Sequence, residues 1–131
     1  DPIRDFLPTT GKITAYYSPG GFGVRIDGNA YRGYVVPPYY DSLLAKMTVW
    51  GRTWEEVVDR THRCLDEFVI RGVKTTIPLY HKIMQDEEFR RGDFDIQYID
   101  RKLNELMYDD HRNRADMVVI LAAAVAAYSR R

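Results

Sequence analysis

The sequence predicts an α+β domain, a small antiparallel sheet with helices packed on it. Three observations carry that prediction. Residues 12–50 are rich in β-branched and aromatic side chains, interrupted by glycine and proline turns. At Thr53 the apolar period lengthens from that of a strand to that of a helix. The chain has 131 residues, enough for one core and too few for two sizeable ones.

In chain order, Lys12–Tyr17 reads as a strand that Ser18-Pro19-Gly20-Gly21 ends. Phe22–Ile26 resumes extended structure with Phe22, Val24 and Ile26 on one face, and Asp27-Gly28-Asn29 is a turn. Tyr31–Val36 is a third strand, closed by Pro37-Pro38, which cannot donate to a ladder. Leu44–Trp50 is a fourth, ended by Gly51. Thr53 and Glu56 then form a capping box. Behind them Trp54, Val57, Val58, Thr61, Cys64, Leu65 and Phe68 make one helical stripe. Val69–Val73 reads as an edge strand or a connection. Thr76 is expected to cap a second helix, with Pro78 in its first turn and Leu79, Ile83 and Met84 buried. Asp86–Arg91 predicts a short helical turn ended by Gly92, and Ile96–Met107 a further helix. Residues 1–108 are expected to form the domain, and 109–131 a charged break and an alanine-rich helical tail.

Nineteen basic residues balance nineteen acidic ones, so no broad attraction to nucleic acid or to a membrane surface follows. One cysteine, Cys64, excludes an internal disulfide and points to a reducing, cytoplasmic setting. Asp1-Pro2-Ile3-Arg4-Asp5 lacks the basic and apolar regions of a signal peptide. The longest apolar run, 117–127, is half of the roughly 20 residues that span a bilayer, so a soluble protein is expected. A chain that starts at Asp1 is expected to be preceded by further sequence.

The chemistry-bearing residues are sparse. His62, His81 and His111 are far apart and are read with no second ligand at i+3 or i+4, so no metal site is expected. Cys64 lies on the apolar stripe and reads as core, not as a nucleophile. Gly20-Gly21-Phe22-Gly23 fits neither phosphate-binding glycine pattern and precedes no helix, so it reads as a tight turn. Ten tyrosines and two tryptophans would suit stacking on single-stranded nucleic acid, but no basic groove accompanies them. Pro37-Pro38-Tyr39-Tyr40-Asp41-Ser42 is a stiff loop with polar tips, and the residues alone leave open a structural turn or a site loop.

Several segments in fixed order point further. They are Phe6-Leu7-Pro8, Gly11-Lys12-Ile13, Pro19-Gly20-Gly21-Phe22-Gly23-Val24-Arg25, Gly33-Tyr34, Val36-Pro37-Pro38-Tyr39-Tyr40-Asp41-Ser42 with Lys46, and Gly72-Val73-Lys74-Thr75. Across residues 1–107 this series resembles the carboxy-terminal domain of biotin carboxylases, the component of acetyl-CoA, acyl-CoA and pyruvate carboxylases that uses ATP and bicarbonate. The resemblance implies a ligase that carboxylates biotin on its carrier through carboxyphosphate. It also implies that Asp1-Pro2 closes a segment of the form R-I-N-A-E-D-P, whose enolate-stabilising arginine lies before Asp1. The catalytic base, the metal-binding glutamates and the ATP-grasp phosphate loop are then upstream as well. The piece is therefore expected to hold no catalytic residue and to be inactive alone.

Residue by residue, Ile96 and Gln97 match an adenine-contacting pair, with glutamine where a histidine is often found. Tyr40 and Asp41 match the edge of the biotin site, Asp41 pairing with an arginine of the missing domain. Phe22, Arg25 and Glu67 match a homodimer interface. Without the resemblance, Phe22 would read as ordinary sheet core. Arg25 follows a glycine loop and invites an electrophilic role, but the register of the resemblance assigns it to assembly. ATP and Mg are expected to be bound mainly by the ATP-grasp domain of the same enzyme, and biotin to arrive on a carrier protein. The other expected partners are a carboxyltransferase, which chooses the acyl acceptor, and a second copy of the chain. The competing readings are a non-catalytic dimerisation or scaffold domain of the same fold and, more remotely, a nucleic-acid-binding module, which a salt-dependent gel shift would reveal.

Overall fold

The computed structural model describes residues 1–4, 6–39 and 43–107. The chain divides into two units, 1–94 and 95–131. The expected tail from 109 and the loop residues Tyr40, Asp41 and Ser42 lie outside the described residues.

In the first unit a 3-10 turn, Pro2–Arg4, precedes strands β1 (Gly11–Lys12), β2 (Ala15–Tyr17), β3 (Val24–Gly28), β4 (Val35–Val36) and β5 (Ala45–Val49). Helix α1 (Trp54–Glu67), strand β6 (Val69–Arg71) and helices α2 (Ile77–Gln85) and α3 (Glu87–Arg91) follow. The α+β class holds, but the expected sheet is divided into three antiparallel two-stranded ladders, β1–β4, β2–β6 and β3–β5.

The reason lies in the 12–17 segment, which changes partner midway. The Ile13 N–H donates to the Tyr34 carbonyl at 2.8 Å, whereas the Thr14 N–H donates to the Arg71 carbonyl at 2.8 Å. Ile13 at the switch point has no exposed surface. The expected third strand is reduced to its last two residues, because Tyr31–Tyr34 folds into a turn closed by the Tyr34 N–H on the Tyr31 carbonyl at 3.0 Å. Gly28, expected in a turn, is the last residue of β3 and pairs with Ala45. Phe22 does not share a strand face with Val24 and Ile26, because a turn closed by the Val24 N–H on the Gly21 carbonyl keeps it ahead of β3.

Helix α1 is the element the sequence marks most clearly. Thr53 is its N-cap, and the Thr53 hydroxyl accepts from the Glu56 N–H at 3.2 Å. Glu56 reaches back one residue beyond the cap, to the Arg52 N–H at 2.8 Å. That bond, then the Arg60 guanidinium, hold the Glu56 carboxyl below the usual carboxylate range against its partial desolvation. Val58, Cys64 and Leu65 are buried on the predicted stripe. Helix α1 packs against α2, whose own buried residues are Leu79, Ile83 and Met84. Burial pushes the Cys64 thiol above its ordinary pKa, in keeping with a core side chain.

Thr76 stands at the N-cap of α2, but its side chain makes no cap hydrogen bond. The neighbouring Thr75 hydroxyl accepts from the Ile77 N–H at 3.4 Å instead. Helix α3 is capped by Asp86, whose carboxylate accepts from the Phe89 N–H, and ends at Gly92. It is tied to α1 by Trp54 Nε1–H on the Phe89 carbonyl at 2.9 Å and by Arg90 on Asp59 at 2.8 Å. The Phe89 and Phe94 rings stack at 4.6 Å beside Trp54. In the second unit, helix α4 (98–107) begins two residues later than the sequence predicts. Among the described residues no helix is long and apolar enough to cross a membrane.

These contacts set three stability outcomes, each read by chemical or thermal denaturation. Thr53→Ala is expected to cost about 1 kcal/mol, and Thr76→Ala only about 0.3 kcal/mol. Leu65→Ala is expected to cost about 2–5 kcal/mol, whereas Leu43→Ala, at a side chain 71% exposed, stays within about 0.5 kcal/mol. Gly72 has φ +100°, and a Cβ there would overlap the Lys12 carbonyl oxygen across the β1–β2 bend. Gly72→Ala is therefore expected to cost about 2 kcal/mol or more.

Candidate functional site

The residues expected at an assembly surface are placed by β3, by the turn before it and by the end of α1. Phe22 stands in the turn formed by Gly21 and Gly23, with φ of +108° and +74°. It is 82% exposed and meets the Trp50 ring edge to face at 5.9 Å. Trp50 follows β5 and is itself 53% exposed. The aromatic pair is therefore a surface feature, and the sheet-core reading of Phe22 does not hold.

Two arginines of α1 lie behind this turn. Arg60 donates to the Trp50 carbonyl and pairs with Glu56. Arg63 pairs with Glu67 at 2.7 Å and reaches the Gly20 carbonyl at 3.5 Å. Glu67 is thus linked through Arg63 to the glycine turn that carries Phe22. The same pairing raises the Arg63 pKa. Arg25 points outward from β3, with a side chain 76% exposed, and its partner is Asp27 on the same strand at 2.9 Å. That pair is solvent-facing and adds little to the stability of the fold.

The expected nucleotide-side pair lies in the second unit. Asp95 organises the turn into α4. Its carboxylate accepts from the Gln97 N–H at 3.0 Å and from Arg101 through both oxygens, at 2.9 and 3.0 Å. This turn leaves Ile96 99% exposed and Gln97 also exposed. An exposed aliphatic side chain thus stands next in sequence to an exposed amide that can both donate and accept. Tyr40 and Asp41, expected at a biotin-site edge, lie outside the described residues.

One cluster was missed by the sequence reading. His62, Asp66 and His81 bring their ligand atoms within 4.8 Å of one another. Asp66 is the i+4 neighbour of His62 on α1, so the expectation that no second ligand stands at i+4 from a histidine does not hold.

A family model described as biotin carboxylase C-terminal domain matches residues 1–101. The chain is 44% identical over 128 residues to the 2-oxoglutarate carboxylase small subunit of Hydrogenobacter thermophilus, covering 98% of this chain and 27% of that protein. It is 47% identical over 103 residues to the biotin carboxylase of Haemophilus influenzae, covering 79% of this chain and 23% of that protein. Among solved structures it is similar to the biotin carboxylase domain dimer of the H. thermophilus 2-oxoglutarate carboxylase, in complex with MgADP, ADP and bicarbonate. The TM-score is 0.77 at 46% identity, over 81% of this chain and 23% of that one. The biotin carboxylase subunit of pyruvate carboxylase gives 0.78 at 45% identity, over 81% and 23%. The chain thus spans about a quarter of the length of these relatives. With its motifs, its α+β architecture and the match over 1–101 in agreement, the chain belongs to the biotin carboxylase C-terminal domain family.

Proposed function

We propose that this chain is the carboxy-terminal part of a cytoplasmic, ATP- and bicarbonate-dependent biotin carboxylase, whose complete enzyme carboxylates carrier-bound biotin through carboxyphosphate. In that enzyme Ile96 and Gln97 contribute to the adenine contact, Tyr40 and Asp41 form an edge of the biotin site, and Phe22, Arg25 and Glu67 belong to the homodimer surface. ATP and Mg are bound mainly by the ATP-grasp domain of the same enzyme. Biotin is presented by its carrier protein, and a carboxyltransferase consumes the product.

The observation that carries this reading is which apolar side chains the chain leaves uncovered. Ile96 is 99% and Phe22 82% exposed, each held there by a hydrogen-bonded turn. Covering a side chain of that size is worth about 1.5–3 kcal/mol, which each position would gain from the contact the family resemblance assigns to it. In the proposed reaction the chain's own work is binding and assembly. Ile96 packs on the adenine face, the Gln97 amide reads its edge, and no group of this chain touches the reacting atoms.

Two measurements test this. The purified 131-residue chain is expected to show no bicarbonate-dependent ATP hydrolysis, and activity is expected to return when the ATP-grasp portion is fused to it. Hydrolysis by the chain alone would overturn the division of labour. In the complete enzyme, Phe22→Ala is expected to weaken the dimer at least about tenfold by analytical ultracentrifugation, as truncation of an anchor does. An unchanged dimer would remove Phe22 from the interface.

A further inference from the structure

We infer that His62, Asp66 and His81 form a binding site for a divalent transition metal of the zinc class, clasping α1 to α2. The three side chains come from two helices that pack against each other. His62 and Asp66 are one turn apart on α1, and His81 and Gln85 are one turn apart on α2. The two pairs face each other. His62 Nδ1 lies 3.3 Å from one Asp66 carboxylate oxygen, and His81 Nδ1 lies 3.7 Å from the other. The imidazole rings stand edge to face at 5.4 Å.

The donor set selects the ion. Two imidazole nitrogens and one carboxylate oxygen suit zinc, nickel or copper, whereas magnesium and calcium take oxygen ligands. With all three ligand atoms within 4.8 Å, side-chain rotation alone has to close the remaining gap around one ion at about 2.0–2.2 Å per ligand. The ligands are partly exposed, with side-chain exposures of 34% for His62, 60% for Asp66 and 26% for His81. An ion can therefore enter from solvent and keep water in its open positions.

Gln85 supplies the outer contact that such sites use. Its amide nitrogen lies 3.4 Å from His62 Nε2. Turned over so that its oxygen faces the ring, this amide would accept the Nε2–H and leave the lone pair on Nδ1, the atom that faces Asp66. Metal binding at His62 Nδ1 therefore goes with that orientation of the Gln85 amide. The site is separate from the carboxylation chemistry proposed above, and its consequence is mechanical. A metal bound here adds a coordinate link to the packing and the Asp66–His81 and His62–Gln85 contacts between the two helices, and it stabilises the folded chain by mass action.

The test uses the tag-free 131-residue chain, stripped with chelator and titrated with Zn2+ by calorimetry, and with Co2+ by visible absorption. The expected result is one equivalent bound, visible bands from Co2+ that report nitrogen and oxygen ligands, and a rise in Tm on adding Zn2+. His62→Gln, Asp66→Asn and His81→Gln are each expected to weaken binding at least about tenfold and to abolish the rise in Tm, and Gln85→Leu to weaken binding about tenfold. His111→Gln is expected to leave all of these readouts unchanged. Circular dichroism checks that each variant is folded, and if one of the three ligand variants unfolds, the other two decide. No saturable uptake, uptake that survives loss of these ligands, or uptake that depends on His111 overturns the site.

Discussion

Helix α1 has to bury one face while the other stays in water, and that requirement organises the first unit. Val58, Cys64 and Leu65 are almost wholly withdrawn from solvent, and α1 packs against α2, where Leu79, Ile83 and Met84 are buried. Full burial of a valine or leucine is worth about 1.5–3 kcal/mol, so the packed stripe fixes the rotation of the helix about its axis. Everything on the flanks of α1 then has a set direction. Trp54 and Asp59 are turned toward α3, Arg60 and Arg63 toward the loops around β3 and β5, and His62 and Asp66 toward His81.

The flanks work differently from the stripe. Arg63–Glu67 and Arg90–Asp59 are partly exposed ion pairs, and pairs of that kind contribute little net stability. Their effect is positional. Arg60 satisfies the Trp50 carbonyl at the end of β5, and Arg63 reaches the Gly20 carbonyl at the start of the glycine turn. The β3–β5 ladder is thereby anchored at both strands to a helix that packing has already oriented. On the opposite side β6 follows α1 directly and pairs with β2, and Phe68 between them meets Tyr16 edge to face at 5.8 Å.

How far this was legible in the sequence depended on whether the determinant was local. The α1 stripe, the Thr53 cap and the buried face of α2 are repeats and spacings within one helix, and each can be read along the chain. The ladder partners are not. Ala15 opposite Arg71 and Gly11 opposite Val36 are pairings that no local pattern encodes, so a single sheet was expected where three ladders form. The cap of α2 failed for a finer reason: Thr75 and Thr76 are equally suited by type, and backbone geometry gave the hydrogen bond to Thr75. At the site, Ile96 and Phe22 came from the family resemblance, since exposure leaves no periodic trace. The His62–Asp66 spacing was legible, since a carboxylate stands four residues after the histidine, and the reading that no second ligand lies at i+4 does not hold. The third member of that cluster, His81, needed the helix packing.

The glycine turn at residues 20–23 shows how these levels combine. A glycine-rich loop invites comparison with phosphate cradles, where absent side chains let backbone N–H groups approach an anion. Here the space at Gly23 is already filled, while Gly20 has no neighbour within 4 Å of a Cβ. A Cβ on Gly23 would collide with the Arg60 guanidinium and the Trp50 carbonyl, and φ is +74°. The same carbonyl accepts from Arg60, and the Trp50 N–H donates to the Gly23 carbonyl at 2.8 Å. Gly23 is therefore small because α1 and β5 press against the turn from within. With its backbone drawn inward on that side, the turn has one direction left for the side chain between its two glycines, outward along the Trp50 ring. The exposure of Phe22 thus follows from the way α1 and β5 fill the inner side of the turn at Gly23.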